Sequence, residues 1–226
     1  MAISRRYRDN AEQVDRSKVY DLQDAMSVLK TLRPAKFDET VEVVARLGVD
    51  PKKSDQMVRG AVSMPHGLGK DVRIVVFAEG DAAEAAKAAG ATEVGSDELG
   101  AKIEGGWTDF DIVIAHPAMM RVVGKLGRTL GPQGKMPSPK SGTVTPDVAK
   151  ATAEFKAGKV EFRVDSAGNV QVPVGKLSFS ADKLEENART FLDLVSSMRP
   201  SSARGTYFRT VSVSSTMGPG LKVNFS

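Results

Sequence analysis

Two histidines, His66 and His116, are the only imidazoles in the chain, and each stands next to a proline. Cysteine is absent, so neither a thiolate nucleophile nor a thiolate metal site exists. Carboxylates come close together at Asp109/Asp111 and at Glu185-Glu186. The second pair falls near a helix start, where the dipole favours acids without any catalytic role. No Gly-x-Ser-x-Gly elbow occurs, and no group of residues supplies a nucleophile, a base and an orienter together. Two glycine-rich stretches invite a phosphate-cradle reading, Gly67-Leu68-Gly69-Lys70 and Gly131-Pro132-Gln133-Gly134-Lys135. Neither has the spacing of a P-loop, and no Gly-x-Gly-x-x-Gly follows a strand. A nucleotide-processing enzyme is therefore supported only by the α/β character of the middle of the chain, which hosts many functions.

Other residues suit binding better than catalysis. The net charge of +4 is small for 226 residues, but it is unevenly spread. Between Ile112 and Pro146 there is no acid, whereas Arg121, Lys125, Arg128, Lys135 and Lys140 fall there. After Asp193 the acids stop again, and Arg199, Arg204, Arg209 and Lys222 remain. Two acid-free basic tracts point to a polyanion. The stretch 127–142 mixes glycine amides, hydroxyls and cations, a set suited to a phosphate backbone or to a solvated connection. From Thr210, the residues Thr210, Ser212 and Ser214 alternate with Val211 and Val213, which lines one strand face with hydroxyls. Hydroxyls both donate to and accept from the ribose 2′-OH that marks RNA. Met217-Gly218-Pro219-Gly220 then turns the chain and offers an apolar side chain beside flexible backbone. Phe37, next to Lys36, is either core or, if exposed, a stacking surface.

The elements that carry these residues follow from periodicity. Leu22, Met26, Leu29 and Leu32 make a helical stripe that Asp21 starts and Pro34 stops. Strands are predicted at Glu39–Leu47 and Val58–Met64. Val72–Ala78 and Ile112–Ala115 are nearly unbroken apolar runs, separated by helical stretches from Asp81 and Ser96, and a helix follows from Met119 to Leu126. That alternation implies a parallel sheet buried on both faces. The segment 127–145 carries too many breakers for regular structure. A helix begins at Thr145-Pro146-Asp147 and ends at Gly158. Val160, Phe162 and Val164 face Val170, Val172 and Val174 across a turn at 165–169, which reads as a hairpin. Ser180 starts a long helix with the stripe Leu184, Ala188, Phe191, Val195 and Met198, and two strands close the chain. One continuous α/β domain is possible. The better reading combines α/β and α+β in two domains: residues 1–66 plus 159–226 as a discontinuous two-layer α+β domain with an antiparallel sheet, and residues 67–158 as an inserted Rossmann-like α/β domain. Gly67, Gly69 and Gly158 would then be the hinge. The basic start, Met1 to Arg8, lacks the apolar core of a signal peptide, and no run is long enough to span a bilayer. Absence of cysteine fits a reducing, cytoplasmic setting.

Several stretches also match a known family. They are Lys36-Phe37-Asp38-Glu39-Thr40-Val41-Glu42, Arg59-Gly60, Pro65-His66-Gly67-Leu68-Gly69-Lys70, Leu126-Gly127-Arg128 with Leu130-Gly131-Pro132, Gly142-Thr143-Val144, Lys156-Ala157-Gly158-Lys159 with Glu161-Phe162-Arg163, and Ser215-Thr216-Met217-Gly218-Pro219. In that order, from residue 36 to 219, the chain resembles the bacterial large-subunit ribosomal protein L-one family. The resemblance implies a non-enzymatic protein without a cofactor or metal, monomeric outside the ribosome. It implies contact with ribosomal RNA of the mobile stalk beside the tRNA exit site, help in releasing deacylated tRNA, and repression of its own messenger through a similar RNA structure. Carried over by position, the RNA contacts are Lys36, Phe37, Thr40, Arg163, Asp165, Lys176, Ser178, Thr216, Met217 and Gly218. Arg121, Lys125, Arg128, Lys135 and Lys140 would touch RNA or exit-site tRNA more loosely.

Overall fold

The structure, a computed structural model, describes residues 4–225; Met1–Ile3 of the basic start and Ser226 lie outside it. The chain divides into two compact units, Met1–Gly69 with Val160–Ser226, and Lys70–Lys159. The divisions fall after Gly69 and after Lys159, a few residues beyond the expected ones. Gly67 and Gly69 thus belong to the first unit and Gly158 to the second.

The chain opens on a helix the periodicity did not announce, α1 (Arg5–Glu12), capped by Ser4 Oγ accepting from the Tyr7 amide at 3.3 Å. Its sequence carries no apolar stripe, so its reason for forming is tertiary. Asn10 is buried and exchanges two 3.0 Å hydrogen bonds with the Arg33 backbone. Helix α2 (Leu22–Thr31) buries Leu22, Ala25, Met26 and Leu29, as its stripe requires. Strand β1 (Thr40–Leu47) alternates strictly, with Val41, Val43, Ala45 and Leu47 inward. Strand β2 (Arg59–Ser63) closes this part.

In the second unit, β3 (Ile74–Phe77), α3 (Asp81–Ala88), β4 (Glu93–Gly95), α4 (Asp97–Glu104) and β5 (Ile112–Ala115) build a parallel sheet ordered β4-β3-β5. Every residue of β3 is buried, because helices cover both faces. Ile74 and Val76 pack with Ala86, Val148 and Phe155, while Val75 and Phe77 pack with Leu99, Ile103 and Val123. Helices α5 (Met120–Lys125) and α6 (Gly127–Leu130) follow, and α7 (Val148–Ala157) starts at Asp147, whose carboxylate accepts from the Lys150 amide at 3.0 Å. The segment 127–145 is therefore not free of regular structure. It contains α6 and a short 3-10 turn at Pro139–Ser141, and Leu130 is fully buried. One apolar anchor and local backbone hydrogen bonds overcome the breaker content.

The chain then returns as β6 (Lys159–Arg163), β7 (Asn169–Lys176), α8 (Ala181–Ser197), β8 (Phe208–Ser215) and β9 (Leu221–Val223). The four-stranded sheet is antiparallel and ordered β7-β1-β8-β9. The expected hairpin of β6 with β7 does not form. β6 pairs with β2 instead, and the Val164 amide donates to the Val58 carbonyl at 2.9 Å. Alternation gives the face of a strand but not its partner. Phe162 and Val164 reach the same core either way, with Phe162 edge-on to Phe191 at 5.5 Å. The stripe of α8 covers the inner face of this unit, burying Leu184, Ala188, Phe191 and Val195. Among the described residues no helix is long and apolar enough to cross a membrane.

Tyr207 sits in this core with its hydroxyl donating to the Val195 carbonyl at 3.1 Å. Burial pushes its pKa up to about 12, against a smaller opposing pull from Arg199. An acid with a raised folded pKa holds its proton longer when folded, so stability falls as pH climbs from the ordinary value of 10.0 towards 12. Thermal unfolding of wild type and Tyr207→Phe across that range should show a shallower decline for the variant. Parallel declines would rule out Tyr207 as the cause.

Candidate RNA interface

The residues around Thr40 converge because β1 is the centre of three strands' registers. Thr40 lies opposite Lys176 on β7, and Val41 lies opposite Ser215 on β8. Lys176 Nζ donates to Thr40 Oγ1 at 2.9 Å and reaches the Asp38 carbonyl at 3.4 Å. Asp38 accepts from the Ser178 hydroxyl at 2.7 Å and its amide at 3.2 Å. Across the other edge, the Thr40 amide donates to Thr216 Oγ1 at 2.9 Å, and the Thr216 amide returns a 3.0 Å bond to the Thr40 carbonyl. Lys36, Phe37, Thr40, Lys176, Ser178, Thr216, Met217 and Gly218 therefore share one rim of the first unit. Phe37 is 54% exposed and Met217 50%, unusual for side chains of their size in a unit with a well-filled core. Phe37 is thus on the surface, not in the core.

A residue that composition and spacing did not single out organises this rim. Glu39 is buried to 1% exposure. One carboxylate oxygen accepts from the Ala35 amide at 2.6 Å and Arg6 at 3.4 Å; the other accepts from Ser215 Oγ at 2.7 Å and the Met217 amide at 2.9 Å. Burial alone would raise its pKa. The Ser215, Met217 and Ala35 hydrogen bonds and the Arg6 charge outweigh that and hold it below its ordinary value. Arg6 also donates to the Met217 carbonyl at 3.1 Å and the Arg33 carbonyl at 3.2 Å. One carboxylate and one guanidinium thus fix both segments that display Phe37 and Met217. Arg6 had no signal in the sequence, since the helix carrying it had none. Glu39 stood in a family-matching stretch, but only its burial reveals its task.

Arg163 and Asp165 are not on this rim. The turn that follows Arg163 pairs Asn169 with Arg46, six positions along β1 from Thr40 and roughly 20 Å away at the usual strand rise. Asp165 accepts from the Asn169 and Ala167 amides, both at 2.8 Å, and from Asn169 Nδ2 at 3.0 Å. Hydrogen bonds from Asn169 lead the causes that lower its pKa. Its geometry is that of a turn-former. Thr210, Ser212 and Ser214 do line the outer face of β8 beside Arg46, Val44 and Glu42, as alternation requires.

In the second unit Arg121, Lys125 and Arg128 follow one another along α5 and α6, all exposed, and Lys140 is exposed on its turn. Lys135 differs. Its ammonium donates to the Thr108 carbonyl at 3.0 Å and lies 4.9 Å from the Phe110 ring centre, so it is half-buried in its own unit. Among the described residues no group of acids and imidazoles could hold a metal ion.

A discontinuous α+β unit with a four-stranded antiparallel sheet, joined to an inserted α/β unit with a three-stranded parallel sheet, defines a two-unit α/β and α+β class of protein. The chain belongs to the ribosomal protein L1p/L10e family, whose model matches residues 29–219. It is 55% identical over 221 residues to the large ribosomal subunit protein uL1 of Protochlamydia amoebophila (strain UWE25), covering 98% of this chain and 94% of that one. The family is structural and non-enzymatic.

Proposed function

We propose that this chain is a constituent of the large ribosomal subunit that binds ribosomal RNA of the mobile stalk through the rim around Phe37 and Met217. The observation that carries the reading is the pair of half-exposed apolar side chains held by the buried Glu39. A large apolar side chain held in water beside Lys36, Lys176 and Thr216 suits packing on a sugar or base, with cations for the flanking phosphates. The exposed cations Arg121, Lys125, Arg128 and Lys140 of the second unit suit the looser contact with exit-site tRNA, and bending between the units accompanies tRNA release. The same rim binds a similar fold in the protein's own messenger. The free protein is a monomer.

The test is binding of the full chain to a stalk fragment of large-subunit ribosomal RNA at fixed salt. Met217→Asp places a carboxylate against phosphates and removes the apolar contact, so affinity should fall by roughly 10- to 100-fold. Thermal stability should stay close to wild type, because the side chain is half in water. Unchanged affinity would overturn the assignment of this rim.

A further inference from the structure

The second acid-free basic tract is not absorbed by that rim. Of its cations, Arg204 and Arg209 lie at the other end of the first unit, where β1 ends. There an open cleft of about 630 Å³ is lined by Lys53, Arg204 and Arg209, by Asp50 and Asp55, and by Ser201 and Ser202. Two features distinguish it from an ordinary solvated end.

The first is a β-bulge. Arg46 pairs with Thr210 and Leu47 with Phe208, so Arg209 is the extra residue of β8. Val211 and Val213 point inward, and simple alternation would bury Arg209 beneath the sheet with them. The bulge turns it out instead, beside the exposed Thr210, which is the known effect of bulges on side-chain aim. Its Nε lies 3.6 Å from the place where a Cβ at Gly48 would stand.

The second is an imbalance of partners. Asp50 accepts from the Lys52 amide at 3.2 Å. The hydrogen bond from Ser202 is the leading cause of the lowered pKa of Asp55. Arg46, Lys53, Arg204 and Arg209 have no ion-pair partner among the described residues. Lys53, Arg204 and Arg209 edge the cleft, and Arg46 stands on the outer sheet face next to it. Asp55 also feels the Lys53 charge, which leaves Arg46, Arg204 and Arg209 as the cations there without an ion-pair partner among the described residues, next to the Ser201 hydroxyl.

We propose that this cleft is a second phosphate-backbone site for the same RNA, engaging a segment some 20 Å or more along β1 from the Phe37–Met217 rim. Arg209 and Arg204 are its charged clamps, with Lys53 and the Ser201 hydroxyl beside them. The proposal rests on the reading that the rim binds RNA. Its consequence is a change in salt dependence separable from the rim's own. Each phosphate contact contributes about 0.7–0.9 to the slope of log affinity against log salt.

The experiment titrates the full chain with the stalk RNA fragment at several salt concentrations. It compares wild type, Arg204→Gln/Arg209→Gln, Met217→Asp, and a control, Lys87→Gln/Lys150→Gln, with two exposed lysines of the second unit changed. The double arginine variant should bind about 10-fold or more weakly, with the slope reduced by about 1.4–1.8 for two lost contacts. Met217→Asp should lower affinity while changing the slope by no more than about 0.7–0.9, the weight of the single charge it adds. Wild-type affinity and slope in the arginine variant, or an equal loss in the lysine control, would overturn the proposal. Loss in the arginine variant with none in Met217→Asp would support this cleft and sink the rim as the centre of binding.

Discussion

Glu39→Ala should destabilise the first unit by about 3–5 kcal/mol and lower RNA affinity further than Met217→Asp does. Glu39 is the sole acceptor shared by the Ala35 amide, the Met217 amide and the Ser215 hydroxyl. Truncation leaves those donors and the Arg6 guanidinium facing a small cavity. Arg6 keeps the Met217 and Arg33 carbonyls but loses its counter-charge. Both RNA-facing segments then lose their common tether, so Phe37 and Met217 are presented by loops that must be ordered on binding. That ordering entropy appears directly as weaker affinity.

Glu39→Gln separates charge from shape. Its amide offers one acceptor and two donors, so it can serve the Ser215–Met217 side or the Ala35 side, but not both. An intermediate loss is expected. The sign of the pH effect follows from the lowered pKa. A carboxylate that is more acidic when folded contributes fully above its ordinary value of 4.5 and loses that contribution as pH falls through the lower folded value. Wild type should therefore lose stability faster than Glu39→Gln on acidification below about pH 4.5. Equilibrium unfolding at pH 7 and at several acidic values measures both effects. Equal stability of wild type and Glu39→Ala at pH 7 would show that the buried carboxylate does not hold the rim.

Local signals wrote some of this architecture into the sequence, and long-range contacts wrote the rest. The unbroken apolar run over Ile74–Phe77 announced a strand covered on both faces, since nothing polar could sit there. The helical stripe of α8 announced its buried side, and the Thr210–Ser214 alternation its hydroxyl face. By contrast, α1 is made stable by Asn10 and Arg6 reaching residues more than twenty positions away. No periodicity encodes that. β6 pairs with β2 and not with its sequence neighbour, which alternation could not reveal, because it gives the face of a strand and not its partner. The Arg209 bulge left no local mark either, for an arginine after Phe208 reads as an ordinary strand residue.

Asn187→Leu should cost about 2–3 kcal/mol in the first unit, although leucine is close in volume and helix-compatible. Asn187 is fully buried on α8. Its carbonyl oxygen accepts from the His66 amide at 3.1 Å, and its amide donates to the Gly67 carbonyl at 3.0 Å and the Val174 carbonyl at 2.7 Å. It therefore pins the segment leaving the first unit to both a helix and a strand. Leucine would strand the buried Val174 carbonyl and release the His66 amide and the Gly67 carbonyl to solvent, and the cost of the unpaired carbonyl exceeds the gain in apolar contact. The same bonds bear on where the chain bends. Gly67 is tied by Asn187 on one side and its amide by Met64 at 3.1 Å on the other. Gly69, at φ +67°, lies where a Cβ would come within 2.9 Å of the Phe179 ring. Both are held in the first unit, so bending is expected beyond Gly69 and not at Gly67. Amide hydrogen exchange separates the alternatives: His66 and Gly67 should be protected in wild type and exposed in Asn187→Leu. Unfolding followed in the same variant should move the transition of the first unit while leaving that of the second in place. Fast exchange at Gly67 in the wild type would put the hinge inside the first unit and remove Asn187 as its anchor.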